Sequence, residues 1–84
     1  MSAIDTRPYV RIEWSHDRAE LTFMQWRRPP GAKEVSPVPY NGFRIYARRF
    51  EKWPRFEERV RKAADKFLAA NLKEISYKTT EEIR

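Results

Sequence analysis

Apolar and polar side chains alternate over residues 9–14, Tyr-Val-Arg-Ile-Glu-Trp, which puts Val10, Ile12 and Trp14 on one side of an extended chain and Tyr9, Arg11 and Glu13 on the other. That period predicts a half-buried strand. A second apolar stretch, Ala19 to Trp26, follows the polar run Ser15-His16-Asp17-Arg18. Pairing Trp14 with Ala19 sets Ile12 opposite Leu21 and Val10 opposite Phe23, so a hairpin in this register makes one continuous apolar face. The same register sets Glu13 opposite Glu20, a like-charge contact that nearby Arg11 can relieve.

Residues 29–42 hold four of the six prolines and both glycines, a density of breakers that predicts a loop with no regular element. Phe43, Ile45 and Ala47 then alternate within residues 43–50, while Phe43, Tyr46, Ala47 and Phe50 also fit a helical period. A strand is the better reading, because a helix would leave Ile45 among arginines and because Asn41-Gly42 is a turn pair that commonly precedes a strand. From Pro54 onward the spacing changes. Phe56, Val60, Ala63, Ala64, Phe67 and Asn71 or Leu72 recur at three- and four-residue steps, predicting an amphipathic helix over 54–72 with Asn71 as its exit. Ile75 and Tyr77 alternate with polar neighbours and suggest a short fourth strand, and residues 79–84 read as a capped helix start with no room to continue. The predicted fold is α+β: a small antiparallel sheet of three to four strands with one long amphipathic helix on one face, in the order β-β-β-α-β.

Eighty-four residues fit a single domain spanning 1–84, since a chain of this size supports only one core. The chain is 40% apolar and 36% charged, and its twelve aromatic residues argue against disorder. No apolar run approaches a membrane span, and the first residues have no apolar stretch of signal-peptide length, so a cytoplasmic protein is expected. Without cysteine there are no disulfides or thiolate metal sites. One histidine with scattered carboxylates offers no metal-ligand spacing, and neither glycine belongs to a phosphate-cradling loop. Ser15-His16-Asp17 holds the residue types of a catalytic triad, but consecutive side chains diverge where a triad must converge. The expectation is a non-enzyme with no cofactor and no metal.

Charge changes the picture most. The formal net charge is +6, of which residues 1–42 carry +1 and residues 43–84 carry +5, and arginines outnumber lysines twelve to six. Arginine offers a planar donor fork for phosphate or carboxylate and a flat face for stacking. If Val10, Ile12, Leu21, Phe23, Phe43, Ile45 and Ala47 face the helix, strand parity places Tyr9, Arg11, Met24, Trp26, Arg28, Arg44, Tyr46 and Arg48 on the opposite face. Rings among guanidiniums suit single-stranded DNA or RNA, with Arg49, Lys52, Arg55 and Arg59 extending the positive track toward the helix start. The predicted interface therefore comprises Arg11, Trp26, Arg28, Arg44, Tyr46, Arg48, Arg49, Lys52, Arg55 and Arg59. Two other uses of the face stand beside this one. Val35, Val38 and Tyr40 of the 29–42 loop could cover Tyr9, Met24, Trp26 and Tyr46 as a second, minor core. Alternatively, the patch docks on an acidic protein surface, making the chain a small inhibitor or adaptor of a larger, nucleic-acid-handling machine. Membrane-surface binding fits least, because Glu57, Glu58 and Asp65 interrupt the basic side of the helix. The sequence leaves the oligomeric state open.

Overall fold

The computed structural model describes the backbone of residues 6–83 and the side chains of residues 6–75. Three strands, β1 (Tyr9–Trp14), β2 (Arg18–Arg27) and β3 (Ser36–Tyr46), form an antiparallel sheet in the order β1-β2-β3, followed by one helix, α1 (Trp53–Ile83). The hairpin register is the predicted one, with Val10, Ile12 and Trp14 opposite Phe23, Leu21 and Ala19. Ser15, His16 and Asp17 make the connection, closed by the Ser15 N–H donating to the Arg18 carbonyl at 2.8 Å. Glu13 does face Glu20, and each carboxylate has its own arginine: Arg11 lies 3.2 Å from Glu13 and Arg44 lies 2.9 Å from Glu20.

Helix α1 lies over β1 and β2. Its stripe of Phe56, Val60 and Ala64 is buried against Ala19 and Leu21, with Val10, Ile12, Trp14, Ile45, Ala47 and Phe67 packed around them. Rings fill both ends of this layer. Trp14, Trp53 and Phe56 cluster with centroids 5.3–6.1 Å apart, and Phe67 meets Phe43 edge-on at 4.8 Å and Phe23 at 6.4 Å. The smallness of Ala19 and Ala64 lets helix and sheet approach while these larger rings close the sides.

The proline-rich segment departs from expectation. Residues 36–42 are not loop but the first part of β3, which pairs with β2 from Ser36↔Arg27 to Tyr46↔Arg18. Two features make this compatible with Pro37 and Pro39. As the last strand in the sheet, β3 has a single hydrogen-bonded neighbour, so every second N–H points away from the ladder, and prolines two apart occupy that parity. A bulge then intervenes, with Phe23 paired to Asn41 and Met24 to Pro39, so that Tyr40 is the extra residue. The bulge restores the parity that carries Phe43 and Ile45 toward the helix. Tyr40 also turns that way, its ring 6.0 Å from Phe23 and its hydroxyl donating to Glu74 at 3.1 Å. Val38 and Tyr40 are therefore strand residues and not a cover for the opposite face. Asn41-Gly42 lies within β3 and not at a turn, and the strand ends at Tyr46, short of residue 50.

The helix is longer than its amphipathic stripe predicts. It spans 31 residues, about 46 Å at 1.5 Å per residue, and includes residues 75–77, so there is no final strand and the order is β-β-β-α. Three alternating residues are too few to override a segment free of glycine and proline. Asn71 is no exit: it is buried, its amide donates to the Phe67 carbonyl at 2.8 Å, and its carbonyl accepts from Asn41 at 3.4 Å, tying the middle of α1 to β3. Residues 79–83 continue the same helix, and Arg84 lies outside the described residues.

Gly42 is required by proximity. A Cβ at this position would stand 2.9 Å from the backbone oxygen of Leu21 on the central strand. Gly42→Ala must push β2 and β3 apart beside the bulge, and urea denaturation is expected to show a loss of about 1–3 kcal/mol.

Candidate nucleic-acid interface

The predicted interface resolves into three places with different character. The first is the sheet face opposite the helix. Arg11 and Arg44 reach it, but as partners of Glu13 and Glu20, and Arg18 lies 3.1 Å from Asp17 on the same hairpin. Contact with Tyr46 and then the Glu20 carboxylate hold the Arg44 guanidinium more firmly charged than usual. Strand parity correctly grouped these arginines. It also grouped the carboxylates that neutralise them, and the face is a mixed-charge surface.

The second place is the far end of β2. Trp26 pairs with Pro37 while Tyr46 pairs with Arg18, eight residues away along β2, or about 27 Å at 3.4 Å per residue. The two rings predicted to act together are thus at opposite ends of the sheet. Trp26 is half-buried in a cleft of about 560 Å³ with Arg7, Pro8, Tyr9, Leu68 and Leu72, and its indole N–H is buried without a hydrogen-bond partner. Met24 beside it is buried. The minor-core reading therefore describes Met24 and part of Trp26, with helix leucines as the lining. Arg28 is exposed just beyond this end of β2 and remote from the other predicted cations along the strand.

The third place gathers most of the predicted residues. Where β3 ends at Tyr46, the chain must turn to begin α1 at Trp53, and residues 48–51 form that turn, the Glu51 N–H donating to the Arg48 carbonyl at 3.0 Å. Glu51 is the clamp. Its carboxylate accepts from the Arg48 N–H at 2.9 Å and from Arg59 at 2.7 and 3.0 Å, and Arg59 also donates to the Tyr46 carbonyl at 2.8 Å. Strand end, turn and second helical turn are joined through one carboxylate. The Arg59 guanidinium, followed by the Arg48 N–H, lowers the Glu51 carboxyl to about 2. Arg59 is therefore a structural cation and not part of an open track.

Around this clamp lies a groove of about 600 Å³ lined by Arg48, Glu51, Lys52, Pro54, Arg55, Glu58, Arg59 and Lys62. Five cations face two carboxylates there. Lys62 is committed to Glu58 at 3.0 Å. Arg48, Lys52 and Arg55 have no ion-pair partner within 4 Å among the described residues, and the first turn of α1 contains no acidic side chain to offset them. Three aromatic rings stand exposed on the same short stretch: Tyr46 at 57%, Phe50 at 90% and Trp53 at 45%. Arg49 lies over the Phe50 ring, its guanidinium carbon 5.1 Å from the centroid.

Arg48, Lys52 and Arg55 are thus brought together in the groove; Arg49 is on the adjoining turn, and Tyr46, whose carbonyl accepts from Arg59, has its side chain against Arg44. Arg11, Arg44, Arg28 and Trp26 are not in the groove, and Arg59 supports from beneath. Sequence reasoning missed Lys62, Phe50 and Trp53. Lys62 was legible, falling two helical turns after Arg55, whereas Phe50 was read within the strand over 43–50 and the turn at 48–51 exposes it. Among the described residues, no helix is long and apolar enough to cross a membrane.

Because folding lowers the Glu51 carboxyl, its contribution is complete above the usual carboxylate range near 4.5 and disappears as pH falls from there toward 2. The melting temperature of the wild type should fall more steeply across that window than that of Glu51→Gln, which starts lower and lacks this titration. No family model, curated protein or solved structure matches the chain.

Proposed function

We propose that the chain is a non-enzymatic, cytoplasmic nucleic-acid-binding module that grips single-stranded DNA or RNA at the junction of β3 and α1. One observation carries this reading: Arg48, Lys52 and Arg55, none within 4 Å of a carboxylate among the described residues, share residues 46–55 with three exposed aromatic rings. Unpaired cations suit phosphate, and solvent-facing rings suit the flat faces of unpaired bases. The groove supplies the electrostatic part. The Glu51–Arg59 clamp lies within its lining, so little ordering is needed when a ligand arrives.

The sheet face has a lesser role in this proposal, because its arginines are already matched by Glu13, Asp17 and Glu20. The alternative, an adaptor that docks the same groove on an acidic protein, shares the cations but gives the exposed rings no flat partner. A pull-down from extract separates the two: partners retained after nuclease treatment favour protein docking, and partners lost favour nucleic acid.

Titration of labelled single-stranded oligonucleotides across a salt series tests the proposal. Affinity should fall as salt rises, and Arg55→Ala should weaken binding and reduce the slope of log affinity against log salt by about 0.7, the release expected from one phosphate contact on a single strand. Salt-independent binding, or none at micromolar protein, would sink it.

A further inference from the structure

Phe50 combines a strained backbone with an exposed apolar ring. Its backbone is left-handed, with φ +66°, and it occupies the third position of the 48–51 turn, where glycine or asparagine normally supplies a positive φ. A bulky side chain is strained there. Burial does not offset that strain, because the residue is 90% exposed. Among the described residues the only ring or cation contact of its side chain is Arg49, from the same turn. A costly conformation that presents an apolar ring to water has no stabilising rationale, which is the circumstance in which backbone strain points to function.

The turn is rigid beneath that ring. Arg48 and Glu51 are joined twice, through the Glu51 N–H to the Arg48 carbonyl and the Arg48 N–H to the Glu51 carboxylate, and Arg59 anchors Glu51 to α1. Two groove cations, Arg48 and Lys52, stand two residues before and after Phe50.

We propose that Phe50 is a stacking post for one unpaired nucleobase, which lies on the ring face not covered by Arg49 while its neighbouring phosphates sit on Arg48, Lys52 and Arg55. The inference rests on the nucleic-acid reading above and deepens it, for it names the element that selects single strands. A duplex keeps its bases paired inside and offers the post no face to stack on, so its contact is confined to the phosphate groove.

The test uses Phe50→Ala and Phe50→Gly with two probes of equal phosphate count, a short oligothymidylate and an abasic oligomer of the same length, followed by fluorescence anisotropy. Stacking requires both variants to bind oligothymidylate roughly ten-fold more weakly than the wild type and the abasic oligomer equally well. Phe50→Gly should at the same time melt a few degrees higher than the wild type, since it relieves the left-handed strain, which shows that the affinity lost is not lost fold. Unchanged binding of oligothymidylate by Phe50→Ala overturns the post while leaving the groove standing. An equal loss on both probes also overturns it, as the ring would then be positioning the cations. If the wild type binds neither probe in a salt-sensitive way, the underlying reading fails and the post with it.

Discussion

Ala19 and Leu21 on the central strand are buried beneath Phe56, Val60 and Ala64 of α1, with Phe23 buried beside Phe67, and this contact fixes where the rest of the chain can go. A single helix can cover only one face of a three-stranded sheet. Once it is centred over β1 and β2, the outer strand β3 must be reached by long side chains, which is what Phe67, Asn71 and Arg59 do at Phe43, Asn41 and the Tyr46 carbonyl. The same placement dictates that the chain leave β3 and reverse direction within six residues to enter α1. So short a connection cannot be smooth. It is made by a tight turn held on Glu51, and the strained backbone at Phe50 is a local cost of that geometry that a glycine would lower and this chain retains.

Much of this was legible in the residues, and what was missed has identifiable causes. Strict alternation over 9–14 and 19–23 fixes both the face and the register of the hairpin, because a one-residue slip would expose Ile12 and Leu21 together. The helix stripe was equally plain. The proline-rich segment was misread because proline is a breaker only where its missing N–H is needed; at the sheet edge, on alternate positions, it is not. The bulge at Tyr40 is invisible to a period-two pattern, since it inserts a residue without leaving a polar or apolar signature. Past Asn71 the reading relied on a cap that the structure uses instead as a cross-link to Asn41.

For the candidate site, parity gave the face of each side chain but not its distance along the strand. Trp26 and Tyr46 share a face by alternation and sit at opposite ends of β2 by pairing. The pairing of β3 along β2, with Tyr46 opposite Arg18 and Pro37 opposite Trp26, separates them. Parity is likewise blind to charge compensation across strands. Glu20 and Arg44 are far apart in sequence and adjacent in the sheet, so the outer face looked basic when counted by arginines and is mixed when its carboxylates are included.

The distribution of ion pairs then says which part of the +6 charge is available to a ligand. An arginine already bonded to a carboxylate must give up that contact to meet a phosphate, and the exchange returns little; an unpaired arginine or lysine gives up only water. By that criterion the sheet contributes little and the start of α1 contributes most. Acidic side chains would be the stabilising choice in a first helical turn, where the helix dipole presents its positive end, yet residues 52–55 are Lys-Trp-Pro-Arg. The clamp shows that a carboxylate can be accommodated at this junction, since Glu51 accepts three hydrogen bonds there, one from the Arg48 N–H and two from Arg59. Its hydrogen bonds go to the Arg59 guanidinium and the Arg48 backbone, however, and the Arg48, Lys52 and Arg55 side chains make no ion pair within 4 Å among the described residues. Cations kept against the helix dipole and a ring kept against its backbone preference occur within one ten-residue stretch. Each lowers stability by itself, and their coincidence is best understood as the demand of a single anionic, ring-bearing ligand.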